Sequence, residues 1–65
     1  MQITINGTEE SIQPCTLADL VKARGLNSDA IVIEYNHAIV KRDSWTQIQL
    51  RDNDHLELLS FVGGG

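Results

Sequence analysis

Residues 16–26 carry the signals of one short helix, and the apolar segments on both sides of it alternate with a period of two. Thr16 can cap a helix, and Asp19, three residues later, can reach back to the cap backbone. Gly25 suits the left-handed residue that commonly ends a helix. The apolar positions follow helical spacing: Leu17, Leu20 and Val21. The pattern therefore predicts a helix that begins at Leu17, inside a chain otherwise made of strands.

The segment before the helix predicts a β-hairpin. Residues 2–5 alternate polar and apolar side chains, which is typical of a half-buried strand. Asn6-Gly7 favours a type I′ turn, because that turn needs positive φ at both central positions. Residues 9–13 would be the return strand with Ile12 pointing inward, and Pro14 would end it.

The segment after the helix predicts further strands and turns. Residues 30–35 read as a strand with Ile31, Ile33 and Tyr35 toward the core and Glu34 on the other face. We then expect an Asn36-His37 turn, a short strand at 38–40 and an irregular connection at 41–46 that is anchored by Trp45. An alternating segment at 47–50, a turn at 51–54 and a last strand at 55–61 complete the pattern. The predicted class is α+β, with one helix across one mixed sheet.

The last strand carries an exposed apolar pair in this scheme. Leu56 and Leu58 should face the helix, so Leu59 and Phe61 should point the other way. Exposed apolar side chains in a patch are typical of a docking surface. The alternatives are that the 41–46 connection covers them, or that a β-bulge resets the alternation.

Three glycines follow the last strand, so we divide the chain into a domain at 1–62 and a flexible tail at 63–65. Glycine has no Cβ and loses the most conformational entropy on ordering, so the tail should need a partner to hold one shape. It offers an unhindered carboxylate that reaches about 10 Å beyond Val62. A linker or a cloning scar is the alternative interpretation.

Composition restricts the class of protein. With 65 residues there is room for one small domain, and 42% hydrophobic with 22% charged residues is typical of a chain that folds by itself. The formal charge of −4 argues against a nucleic-acid partner and suits a partner with a basic docking surface. With no signal peptide and no long apolar run, we expect a cytoplasmic protein that does not enter a membrane.

The reactive side chains indicate neither a catalytic site nor a metal site. Cys15 is the single cysteine, which excludes an intramolecular disulfide. It could gain thiolate character at the helix start, but a structural thiol is the simpler reading. His37 and His55 lack the paired spacing of a zinc site. We therefore expect no catalytic residue, no bound metal and no bound cofactor.

Six segments of the sequence together indicate a known family: Met1 to Ile3, Thr16 to Val21, Tyr35-Asn36, Val40 to Trp45, Asp52 to Asp54, and Phe61-Val62-Gly63-Gly64-Gly65. With these residues the chain resembles the ubiquitin-like β-grasp proteins and, among them, the thiamine-pathway sulfur carriers of the ThiS family. The resemblance covers nearly the whole length. It departs from the family at Lys41, where proline is frequent, and at Asn53, where glycine is frequent.

The resemblance implies a ubiquitin-like β-grasp with a mixed four- to five-stranded sheet on one helix, and a carrier that is not itself an enzyme. A ThiF-like adenylating enzyme would use ATP and Mg to adenylate Gly65. Sulfur derived from cysteine by a desulfurase would convert the adenylate to a thiocarboxylate. A ThiG-like thiazole synthase would receive that sulfur. Gly63 and Gly64 would thread the partner's active site, and Leu59, Phe61 and Val62 would dock.

Two other functions remain open at the level of sequence. One is a related carrier for molybdopterin synthesis or a protein modifier joined to lysines through Gly65. The other is a passive β-grasp binding module in which the glycines have no role.

Overall fold

The computed structural model describes residues 1–61, which form one sheet, one α-helix and two short 3₁₀ helices. The elements in chain order are β1 Gln2–Ile5, β2 Thr8–Ser11, α1 Leu17–Ala23, a 3₁₀ helix Ser28–Ala30, β3 Ile31–Tyr35, β4 Ala38–Val40, a second 3₁₀ helix Arg42–Gln47 and β5 His55–Ser60.

The sheet has five strands in the order β2-β1-β5-β3-β4. β1 and β5 pair in parallel, with Ile5 opposite Leu56, although they come from the two ends of the described chain. The other three pairings are antiparallel. The predicted mixed sheet with one helix is therefore confirmed, and the last strand lies inside the sheet between β1 and β3.

Both predicted two-residue turns have the backbone that a type I′ hairpin needs. Asn6 and Gly7 have φ of 50° and 82°, and Asn36 and His37 have φ of 50° and 74°. Asparagine adopts the left-handed region more readily than most other residues, and here both side chains also hydrogen-bond at β5: Asn6 accepts from the Leu58 N–H and Asn36 from the His55 N–H. These turns set the register of both hairpins.

The helix ends are capped as predicted. The Thr16 side chain accepts a hydrogen bond from the Asp19 backbone N–H (3.1 Å), and the Asp19 carboxylate accepts one from the Thr16 backbone N–H (3.2 Å). At the other end, Gly25 has φ of 67°, and the Leu26 N–H donates to the Val21 carbonyl at 3.2 Å. This short helix is therefore closed at both ends by its own sequence.

The core lies between α1 and one face of the sheet. Trp45 is 4% exposed, and its Nε1–H donates to the Val40 carbonyl at 3.2 Å. We predicted Trp45 at the core edge in an irregular connection; instead the connection forms a 3₁₀ helix and the indole is part of the core. The buried apolar residues are Ile3, Ile5, Leu17, Leu20, Val21, Ile31, Ile33, Trp45, Leu50 and Leu56.

The predicted bounds of the second strand, 9–13, are wrong. β2 is Thr8–Ser11, because the tight turn places Thr8 directly opposite Ile5 and the first residue of β1 pairs with Ser11. Ile12 follows the strand, and its N–H still donates to the Met1 carbonyl at 2.9 Å. Its side chain packs against the core, so its inward direction is confirmed.

The alternating segment at 47–50 does not form a strand. Gln49 makes an isolated bridge with Thr16, and the Leu50 N–H donates to the Cys15 carbonyl at 3.0 Å. The helix begins directly after this bridge, so no extended partner remains to continue a ladder. The alternation instead places the Leu50 side chain in the core.

Two strand ends differ by one residue from those predicted. Ala30 belongs to the first 3₁₀ helix, and Phe61 lies just beyond β5, although its N–H donates to the Ala30 carbonyl at 2.9 Å.

No helix in residues 1–61 is long and apolar enough to cross a membrane.

A buried carboxylate joins the turn before β5 to the end of β3. Asp54 is 7% exposed and accepts hydrogen bonds from the Tyr35 hydroxyl (2.9 Å), the Asn36 side-chain amide (3.1 Å) and the Arg51 backbone N–H (2.7 Å). Burial raises the pKa of the Tyr35 hydroxyl, and the hydrogen bond from that hydroxyl to Asp54 and the negative charge of Asp54 raise it further. The neighbouring Asp52 accepts from the Gln2 N–H at 2.7 Å, as expected for turn aspartates.

Candidate docking surface

The last strand divides its side chains between the core and the outer face, which is the sheet face turned away from α1. Leu56 is 1% exposed and Leu58 packs against the core, whereas Leu59 and Phe61 are each 50% exposed. The predicted exposed pair is therefore confirmed. The β3–β5 register continues without a bulge to Ser60, and the 3₁₀ connection packs on α1, so neither alternative interpretation holds.

Two further apolar residues of the outer face were missed by the sequence reasoning. Val32 lies directly opposite Leu59 and is half-buried, and Ile39 on β4 is 70% exposed. Together with Leu59 and Phe61 they form what we call the outer patch. The signal for Ile39 was present: a two-residue turn at Asn36-His37 places Ile39 opposite Glu34, which had already been assigned to the outer face.

The tail is the part of the predicted site that the structure does not place. Val62 and Gly63, Gly64 and Gly65 lie outside the described residues. Phe61, the last described residue, is held beside Ala30 by its backbone hydrogen bond. The outer patch therefore reaches Phe61, which stands two positions before the first glycine of the tail in the sequence.

Polar residues occupy the part of the outer face farther from the tail. Glu34 on β3 stands directly opposite Glu57 on β5. The rings of His37 and His55 stack with their centroids 6.4 Å apart. These four side chains and Thr4 line a pocket of about 140 Å³. The sequence does not bring the two histidines together, because their contact depends on the pairing of β3 with β5.

Cys15 lies on the helix side of the sheet and is half-buried against the core. Burial, and then the negative charge of Asp19, raise the pKa of its thiol. The possible thiolate character at the helix start is therefore contradicted, and the structural interpretation holds. Within residues 1–61 there is no group of three or more His, Cys, Asp or Glu that could hold a metal ion.

Comparisons with known proteins agree on one family. The model of the ThiS family matches residues 2–65. The sulfur carrier protein ThiS of Bacillus subtilis is 32% identical over 50 residues, covering 77% of this chain and 76% of that protein. An uncharacterized protein, ycf40, of Trieres chinensis is 37% identical over 62 residues, covering 94% of this chain and 85% of that protein.

A third relative is much longer than this chain. The thiazole synthase of Paramagnetospirillum magneticum is 35% identical over 66 residues, and the chain spans 20% of its length. Among solved structures, the crystal structure of a thiamine biosynthesis protein (ThiS) from Geobacter metallireducens superposes with a TM-score of 0.86 at 25% identity, over 100% of both chains. The family match, the sequence identity and the fold thus point the same way, and the chain belongs to the ThiS family.

Proposed function

We propose that this protein is a sulfur carrier of thiamine biosynthesis, in which the carboxylate of Gly65 is converted to a thiocarboxylate that supplies sulfur to a forming thiazole ring. The observation that carries the proposal is the match of the ThiS family along residues 2–65, which includes the whole glycine tail. The 32% identity to the ThiS sulfur carrier of Bacillus subtilis supports the same function.

The chemistry requires activation of the tail. A carboxylate repels a nucleophile and has no good leaving group, so sulfur cannot replace its oxygen directly. An adenylating enzyme with Mg-ATP joins AMP to Gly65 and releases pyrophosphate. The outer sulfur of a persulfide, formed on the desulfurase from cysteine, then displaces AMP and gives an acyl disulfide. A thiol such as free cysteine reduces the S–S bond of that acyl disulfide and leaves the thiocarboxylate on Gly65. Gly63 and Gly64 carry no side chain, so they fit a slot that larger residues would block.

We place thiazole synthase as the acceptor of that sulfur. The support is that two proteins named thiazole synthase, from Paramagnetospirillum magneticum and Magnetococcus marinus, each resemble this chain over 66 residues and 20% of their own length. A carrier-like stretch within a synthase polypeptide is expected if carrier and synthase act together.

The outer patch gives the partner enzymes an apolar surface to bind. Leu59 and Phe61 are half exposed and lie next to the tail, and Val62 would extend the contact. A partner that covers them removes apolar area from water while the tail enters its active site. In this scheme the folded domain provides the binding surface, and the reaction takes place in the active sites of the enzymes that bind it.

The experiment is intact-mass measurement after incubation with the adenylating enzyme, Mg-ATP, cysteine and a cysteine desulfurase. We expect a mass gain equal to replacement of one oxygen by sulfur. The gain should be absent from a protein that lacks Gly65 and from Gly64→Val, whose melting temperatures should match the unmodified protein.

An unchanged mass, with the enzymes shown active on another carrier, would refute thiolation of Gly65. A ladder of larger species on a denaturing gel would instead indicate a protein modifier. If Gly64→Val is loaded normally, the proposal that Gly63 and Gly64 must lack side chains to enter the enzyme's active site is wrong.

A further inference from the structure

The sheet of this protein carries negative charge without any positive charge. The five strands contain Glu9, Glu10, Glu34 and Glu57 but no Lys or Arg. All five basic residues of the chain lie outside the strands, in α1 or in the connections. Much of the overall charge of −4 is therefore concentrated on the sheet.

Glu34 and Glu57 form an arrangement that the fold itself does not need. Like charges directly opposite each other on neighbouring strands destabilise the pairing. The ion pairs within residues 1–61 join Arg24 to Glu10 and Arg42 to Asp29, and neither includes Glu34 or Glu57. No ion pair within residues 1–61 therefore offsets the repulsion between these two carboxylates.

The same two glutamates line the small pocket of the outer face. The pocket holds about 140 Å³, and its other polar walls are Thr4, His37 and His55. A hydroxyl oxygen and a neutral imidazole nitrogen can both accept hydrogen bonds, so these walls can add acceptors to the two carboxylates. The pocket is therefore lined for a donor with positive charge.

This pocket also adjoins the outer patch. Ile39 is directly opposite Glu34 on β4, and Leu59 follows Glu57 by two residues on the same face of β5. A protein that covers Leu59 and Phe61 would consequently bring its own surface over Glu34 and Glu57. The occupant of the pocket is then a side chain of that protein.

We infer that the pocket between Glu34 and Glu57 receives a cationic side chain of the adenylating enzyme, and that this contact selects the partner during docking. An arginine fits best, because its planar guanidinium can donate to two carboxylates at once. The inference rests on the proposed function, since it assigns a contact to the enzyme that loads Gly65. It adds a charged contact to the apolar docking surface.

The test uses the full chain and the adenylating enzyme of the same organism, with the rate of loading measured by intact mass. The variants are Glu34→Gln, Glu57→Gln and the double substitution. Asp43→Asn is the matched control, because it removes the same single charge from the connection that packs on the helix side. Loading is measured as a function of carrier concentration and of salt, at a temperature where every variant is folded.

We expect the double variant to raise KM by about tenfold or more, with kcat unchanged and with a weaker dependence of KM on salt. Its melting temperature should equal or exceed that of the unmodified protein, because the repulsion between the strands is removed. Asp43→Asn should leave KM unchanged. A merely structural role would give the opposite result, a lower melting temperature with an unchanged KM.

An unchanged KM for the double variant, in a carrier that is loaded at Gly65, overturns this inference and leaves the proposed function standing. A higher KM that keeps the full salt dependence also overturns it, because shape rather than charge would then be responsible. Failure of the unmodified protein to be loaded refutes the proposed function, and this inference with it.

Discussion

Shortening Leu59 and Phe61 to alanine should weaken docking far more than folding. Each side chain is 50% exposed in the free protein, so a partner can still bury about half of its surface. Full burial of such a side chain contributes roughly 1.5–3 kcal/mol, so the remaining half contributes about 1 kcal/mol per residue. The double alanine variant should therefore lose about 2 kcal/mol of binding, which raises KM for loading by about 30-fold.

The assay is steady-state loading of Gly65 by the adenylating enzyme, followed by intact mass, together with thermal unfolding by circular dichroism. Ile12→Ala is the complementary control, because Ile12 lies between β2 and α1 in the chain and is half-buried against the core. We expect Ile12→Ala to lose about 1–2 kcal/mol of stability. At a temperature where it is folded, its KM should not change.

The two variants should therefore show opposite profiles, one affected in KM and the other in melting temperature. If the double alanine variant loads with the KM of the unmodified protein, the outer patch is not the docking surface. If it unfolds as extensively as a core variant, Leu59 and Phe61 belong to the core, and the interpretation of their exposure is wrong.

Two further predictions concern the network around Asp54. Asp54→Ala removes three hydrogen bonds to a buried carboxylate and should cost about 3 kcal/mol, whereas Asp52→Ala removes one exposed bond and should cost less than about 1 kcal/mol; equal melting temperatures would contradict this. Because the pKa of Tyr35 is raised in the folded state, the unfolded chain ionises first as pH rises past the ordinary tyrosine value of 10.0, and stability falls there. Tyr35→Phe should be less stable at neutral pH and lose less stability in that alkaline range, and parallel denaturation curves for the two proteins would refute the linkage.

The local elements of this fold could be predicted because their signals are short-range. The capping box at Thr16 and Asp19 and the left-handed Gly25 define the helix within ten residues of chain. The Asn6-Gly7 turn sets the first hairpin for the same reason. Leu59 and Phe61 followed from strand alternation, which needs no knowledge of the neighbouring strand.

The errors lie where a residue's surroundings come from distant parts of the chain. Alternation such as that at 47–50 is typical of a strand, but the helix beginning at Leu17 leaves Gln49 a single bridging partner. Trp45 was placed at the edge of the core, yet the volume between the 3₁₀ connection and α1 accommodates the whole indole. Neither result can be read from the residues next to them in sequence.

The sequence by itself determined the helix, its caps, the two tight turns and the outward direction of Leu59 and Phe61, because each depends on residues a few positions apart. The tertiary structure decided that β1 pairs in parallel with β5, and that β5 lies between β1 and β3. The antiparallel pairing of β3 with β5 places Glu34 opposite Glu57 and His37 beside His55. The physical reason is that strand order and register arise from long-range burial of apolar faces, whereas the backbone preferences of turns and the hydrogen bonds of helix caps depend on neighbouring residues.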